Sequence, residues 1–233
     1  MAIDITRIRG LCFDVDGTLS DTDDRYVQKL AGWLQPIQFL LPGGDPSRFA
    51  RKVVMVTETP ATLFFGIPDR LGLDKELSKI GDYFYRQRLK RQEKPFTLVP
   101  GVGEMLECLR SSYHLSIVTA RGQRSTDLFL DQFSLKSYFE VIASAQTCRH
   151  TKPYPDPVLW AAKGMGIPVE KCLMIGDTRV DMVAAKSAGA QAVGVLCGFG
   201  TREELISAGA DMIVENTSDL TKILQNSNEK SIV

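Results

Sequence analysis

The chain has 233 residues, with 28 basic and 28 acidic side chains, so no global field recruits nucleic acid or an anionic membrane surface. No apolar run is long enough to span a bilayer, and Met1-Ala2-Ile3-Asp4 lacks the basic-then-apolar pattern of a signal peptide. Five scattered cysteines, never in a C-x-x-C pair, and only two histidines argue against a disulfide framework, a zinc site or a histidine-rich metal centre; reduced thiols in a cytoplasmic protein are expected.

The first element is the run Leu11-Cys12-Phe13, which reads as a buried strand and leads into Asp14-Val15-Asp16-Gly17-Thr18-Leu19. Paired like charges at a strand tip are costly unless something cationic neutralises them. A divalent metal with a phosphorylated ligand behind it is the natural partner, while an acidic turn is the plainer reading. Residues 21–95 then break the rhythm of the chain. Helix-like stretches at 25–34 and 77–91 are punctuated by Pro42-Gly43-Gly44, Pro60 and Pro68, where one crossover helix would suffice. A helical insertion above the end of the first strand is expected, with hinges at Ser20-Asp21-Thr22-Asp23 and Lys94-Pro95-Phe96.

Beyond the insertion, apolar runs alternate with amphipathic segments. Pro100 introduces a helix over 101–109, and Leu115-Ser116-Ile117-Val118 reads as a strand ending at Thr119. A helix over 123–133, a strand Val141-Ile142-Ala143 and a helix over 156–165 follow. Cys172-Leu173-Met174-Ile175 is the next strand, and a helix near 180–188 is closed by Gly189. Strands at 192–196 and 212–214 complete the series, and the polar residues 226–233 are expected to fray. Such alternation argues for a parallel sheet covered on both faces.

Three further segments carry chemistry. Thr119, at a strand tip before Ala120 and Arg121, can hold a phosphoryl oxygen together with the next backbone N–H, although a helix cap would look the same. Lys152 precedes Pro153, and Pro155 and Pro157 follow; the prolines stiffen the loop, keep helix from forming until after Pro157, and reduce the entropy lost when the lysine meets an anion. In Gly176-Asp177-Thr178-Arg179-Val180-Asp181, two carboxylates at i and i+4 come close if a helix begins between them; Asp181 equally suits a helix first turn.

In this order and spacing, DVDGTL, Thr119, Lys152 before proline, and GDTRVD resemble the four motifs of the haloacid dehalogenase (HAD) superfamily of phosphohydrolases. The likeness is to the branch with a helical cap after the first motif, and the segment Gly198-Phe199-Gly200-Thr201-Arg202-Glu203-Glu204-Leu205 is similar to the phosphoglycolate phosphatase-like group. The resemblance implies an α/β fold: a Rossmann-like parallel sheet in the order 5-4-1-2-3, helices on both faces, a core of residues 1–20 and 96–233, and an α-helical cap of residues 21–95. It implies Asp14 as nucleophile and Asp16 as acid and base. Thr119, the N–H of Ala120 and Lys152 would hold the phosphoryl group. Mg²⁺ would be held by Asp14, Asp177, Asp181 and the backbone carbonyl of Asp16.

The implied activity is Mg²⁺-dependent hydrolysis of a small phosphorylated metabolite, with phosphoglycolate the leading candidate and neither nucleic acid nor membrane as partner. A β-phosphoglucomutase-like mutase and a pyrophosphatase fit the same motifs, whereas Asp16 argues against a dehalogenase or phosphonatase. A non-catalytic binding protein would not need the full set of side chains. Arg25, Arg48, Arg51 and Lys52 are candidates to reach a substrate carboxylate, though each also suits a solvated surface.

Overall fold

Gly10–Phe13 forms the first strand, β1, and every residue in it is buried. The computed structural model describes residues 3–21 and 96–229, together with Gly32 and Gln35. By its internal contacts the chain divides into two units, Met1–Thr22 with Leu98–Val233, and Asp23–Thr97. The helical architecture and candidate substrate contacts expected within residues 22–95 lie outside the described residues, save Gly32 and Gln35.

β1 is followed by β2 (His114–Val118), β3 (Val141–Ala143), β4 (Cys172–Gly176), β5 (Gln191–Val195) and β6 (Met212–Val214). They make one six-stranded sheet in the order β3-β2-β1-β4-β5-β6, with every pairing parallel. The expected order 5-4-1-2-3 is present, extended by β6 beyond β5. Strands buried on both faces must be apolar on both, which is why β1 and β4 read as continuous apolar runs rather than alternating ones.

Between the strands run α1 (Val102–Leu109), α2 (Gln123–Gln132), α3 (Asp156–Gly164), α4 (Arg179–Ala188) and α5 (Arg202–Ser207), and α6 (Leu220–Glu229) follows β6. Cys12, Val118, Met174 and Ala192 of the sheet pack in one core with Val158 and Ala161 of α3, Met182 and Ala185 of α4, and Leu205 of α5. Phe13, fully buried, meets Phe139 edge-on with ring centroids 6.4 Å apart.

One local expectation needs correction. The helix expected over 156–165 is present from Asp156, so the proline run does not delay it until after Pro157, which sits in its first turn. First-turn N–H groups have no intrahelical acceptor, so a proline there removes nothing. The helix α6 continues to Glu229, into the stretch expected to fray. Leu220 and Leu224 are fully buried, and the Tyr113 hydroxyl donates to the Leu224 carbonyl at 3.2 Å, so tertiary contacts anchor the first turns of α6, ahead of that polar stretch.

The turn after β1 determines where the chain departs. Gly17 adopts a left-handed conformation with φ of 72°, its N–H donates to the Ser20 carbonyl at 2.9 Å, and the Ser20 N–H donates to the Val15 carbonyl at 2.8 Å. Ser20 also pairs antiparallel with Leu98, so the polypeptide leaves and rejoins this unit at neighbouring points.

The sheet core should dominate stability. Leu173→Ala in β4, where the side chain is fully buried, should lower the unfolding free energy by about 2–5 kcal/mol in denaturant titrations. Leu159→Ala on the exposed side of α3 should change it by no more than about 0.5 kcal/mol. Equal effects would mean that β4 does not carry the core.

Candidate active site

Asp14 stands one residue beyond β1, and its N–H donates to the Ile175 carbonyl at 2.9 Å, which ties it to β4. Phe13 is level with both Ile117 and Ile175, so Thr119 and Asp177 emerge from the flanking strands at nearly the same height. β1 lies between β2 and β4, where the order of connection reverses, and the carboxyl ends of strands open a crevice at such a point.

Asp14, Asp177 and Asp181 meet there. All three are buried, and one carboxylate oxygen from each lies within 4.8 Å of the others. Lys152 is 2% exposed and reaches into this group, with Nζ 2.8 Å from Asp14 Oδ1 and 2.6 Å from Asp181 Oδ1. Three carboxylates thus face one ammonium. That donor set suits a hard divalent cation, for which all-oxygen ligands are preferred.

Asp181 satisfies both readings of its position. α4 begins between Asp177 and Asp181, and Asp181 Oδ2 accepts the Thr178 N–H at 3.0 Å and the Thr178 hydroxyl at 2.6 Å, closing a helix capping box. Its other oxygen takes Lys152. The helix cap therefore fixes the rotamer that presents Asp181 to the lysine, and its existing bonds suit a supporting role toward a metal.

Asp177 is held from another direction. Phe199 N–H donates to its Oδ2 at 2.8 Å, and the Thr18 hydroxyl lies 3.4 Å from its Oδ1. The Gly200 N–H donates to the Asp177 main-chain oxygen at 2.9 Å. Side chains at Gly17 or Gly198 would collide with the Asp177 carboxylate, and one at Gly200 with its carbonyl. The Cys197 thiol donates to the Gly17 carbonyl at 3.4 Å, and the Thr217 hydroxyl donates to the Thr18 carbonyl at 2.6 Å. The loop after β5 therefore braces both Asp177 and the turn after β1.

Thr119 is 2% exposed, and its hydroxyl oxygen accepts the Arg121 N–H at 3.1 Å, which leaves the hydroxyl proton to be donated elsewhere. Ala120 beside it is exposed at the end of β2. The Asp16 carboxylate stands apart from the buried triad and pairs instead with Arg121, whose Nε donates to Asp16 Oδ2 at 3.0 Å while Nη2 engages Oδ1. The metal role that the resemblance implies for Asp16 uses its main-chain carbonyl, which this ion pair does not engage.

The sequence reading gave Thr18, Phe199 and Arg121 no role. A glycine on each side of Phe199 was the available signal, since such a loop lets backbone approach a buried carboxylate closely. Nothing comparable marks Arg121, because its partner lies 105 positions away.

Burial raises the Asp14 pKa to about 7; Lys152 pulls it down, and Asp181 and Asp16 push it up. Burial works against the Lys152 ammonium, but Asp14 and Asp181 outweigh it and hold its pKa above the ordinary lysine value. An unfolded aspartate ionises near about 3.9, so between that pH and about 7 the folded protein binds the extra proton. This group's contribution to stability therefore declines as pH rises from about 4 to about 7, and is level above. In chelator, thermal unfolding of the wild type should show that decline relative to Asp14→Asn. Parallel pH profiles for the two proteins would contradict it.

Residues 11–195 match the haloacid dehalogenase-like hydrolase family. A phosphoglycolate phosphatase from Shigella dysenteriae serotype 1 (strain Sd197) is 30% identical over 234 residues, covering 93% of this chain and 92% of the relative. The crystal structure of a hydrolase from Pseudomonas syringae is similar with a TM-score of 0.68 and 29% identity, covering 94% of this chain and 98% of that one. A haloacid dehalogenase-like family hydrolase from Streptococcus pneumoniae shares the fold with a TM-score of 0.68 at 23% identity, over 94% of this chain and 99% of that one. With a parallel sheet of this order, a lysine-bridged aspartate cluster at its switch point and a match over most of its length, the chain belongs to the haloacid dehalogenase-like hydrolases.

Proposed function

We propose that this protein is a Mg²⁺-dependent phosphatase that hydrolyses a small phosphorylated metabolite through an aspartyl-phosphate on Asp14, with phosphoglycolate the first substrate to test. The enzyme class is phosphoric monoester hydrolase, to which the family and the phosphatase relatives point. The observation that carries the reading is the buried Asp14 carboxylate, with Lys152 2.8 Å away and two further carboxylates beside it. Such a group is a nucleophile kept from water and aimed by its neighbours.

In this reading Asp14 attacks phosphorus and Asp16 protonates the leaving alcohol, then takes a proton from the water that hydrolyses the aspartyl-phosphate. Thr119 donates its hydroxyl to a phosphoryl oxygen, the Ala120 N–H adds a second donor, and Lys152 offsets negative charge on Asp14 and the transferring group. Asp14, Asp177 and the Asp16 carbonyl would hold Mg²⁺, supported by Asp181. The ion would draw negative charge from the phosphoryl oxygens. Residues 1–20 and 96–233 would form the catalytic core. Residues 21–95 would serve as a helical cap that excludes water and selects the substrate.

Hydrolysis of p-nitrophenyl phosphate should require Mg²⁺, and Asp14→Asn should lower turnover by at least ~10³-fold while the circular dichroism spectrum stays native. Turnover undiminished in the variant would exclude Asp14 as nucleophile. Within a panel of phosphorylated metabolites, a kcat/KM for phosphoglycolate no better than for unrelated monoesters would remove it as the substrate.

Mg²⁺ should also raise the thermal midpoint of the wild type, because an ion that binds only the folded site stabilises it by mass action. Asp177→Ala should abolish most of that shift. An equal shift in the variant would put the ion elsewhere.

A further inference from the structure

Arg121 follows Thr119 and Ala120 on the loop leaving β2, and its side chain is 9% exposed. Its main chain is held at both ends: its N–H donates to the Thr119 hydroxyl at 3.1 Å, and its carbonyl accepts the Ala145 N–H at 3.0 Å. Its guanidinium carbon lies 5.7 Å from the ring centroid of Phe129, a fully buried residue of α2. From that position it engages both oxygens of Asp16, a fork-to-carboxylate geometry that a point-charge ammonium cannot reproduce. Asp16 is the more exposed partner, at 32%. By contrast, Arg110–Glu107 and Arg202–Glu215 are open surface pairs with both members well exposed, and such pairs contribute little.

We propose that Arg121 is the positioning residue for Asp16. It holds the acid/base carboxylate in one orientation relative to the phosphoryl cradle that Thr119 and Ala120 begin. The proposal rests on the reading of Asp14 as nucleophile and Asp16 as acid and base. The step most exposed to misplacement is the second one. There the water oxygen bonds to phosphorus, the bond from phosphorus to the Asp14 oxygen breaks, and the water proton passes to Asp16, releasing inorganic phosphate. With p-nitrophenyl phosphate the first step needs no donor, because nitrophenolate leaves as a stable anion. Arg121 should therefore matter for the second step and not for the first.

Rapid-mixing kinetics on full-length wild type, Arg121→Met and Arg121→Lys, with Mg²⁺ and p-nitrophenyl phosphate, separate the steps. In Arg121→Met the first-turnover release of nitrophenolate should stay within about twofold of wild type. Steady-state turnover should fall by at least ~10-fold, the scale on which misplaced groups slow a reaction. Phosphoenzyme trapped by acid quench from radiolabelled substrate should accumulate. Arg121→Lys should recover part of the turnover, and should show the same split in weaker form if the methionine variant does not fold. A joint fall of first-turnover and steady-state rates with a raised KM would overturn the proposal, because Arg121 would then be holding the phosphoryl group itself. Unchanged rates in both variants would overturn it as well. No trapped phosphoenzyme in any of the proteins, with turnover surviving Asp14→Asn, would instead remove the underlying mechanism and the proposal with it.

Discussion

One lysine ammonium lies among three buried carboxylates, and the local structure around the switch point is arranged to keep it there. Lys152 bonds to Asp14 and Asp181 within 2.8 Å, and Asp177 completes the cluster. Burial, with the neighbouring carboxylates adding to it against the pull of Lys152, raises Asp14 to about 7, and the excess of negative charge makes the group receptive to a cation. Stability and function pull in opposite directions here. The arrangement persists because the carboxylates of Asp177 and Asp181 also accept hydrogen bonds from rigid elements, and the main chain of Asp14 is paired with β4.

Those restraints come from separate parts of the chain. The capping box of α4 holds Asp181, the strand pairing of β1 with β4 holds Asp14, and the Phe199 N–H holds Asp177. Glycines at 17, 198 and 200 let backbone come close enough to Asp177 to do this. Phe199 and Thr217 lie beyond residue 195, where the family match ends. The segment after β5 is thus part of the site's construction although the family match stops before it.

Legibility differed by the range of the interaction. Apolar runs placed the strands, and Gly189, left-handed with φ of 88°, closes α4 as a glycine at that point should. The i, i+4 spacing of Asp177 and Asp181 carried the local geometry because the helix starts between them, at Arg179, and the two carboxylates meet across its first turn. Pro157 misled about the start of α3 because a proline in a first turn and a proline before a helix look alike in sequence.

By itself the sequence determined which residue types stand at which strand tips. Strand runs, turn glycines and helix caps are local, and local patterns suffice to place Asp14, Thr119 and Asp177 just beyond their strands and Lys152 on a proline-stiffened loop. Only the tertiary structure decided which of them touch. It joined Lys152 to Asp14 and Asp181, gave the Phe199 N–H to Asp177, and tied Asp16 to Arg121 across 105 positions. Parallel pairing brings together residues far apart in the chain, and the partner each carboxylate finds depends on strand order and register, which no local window of sequence contains.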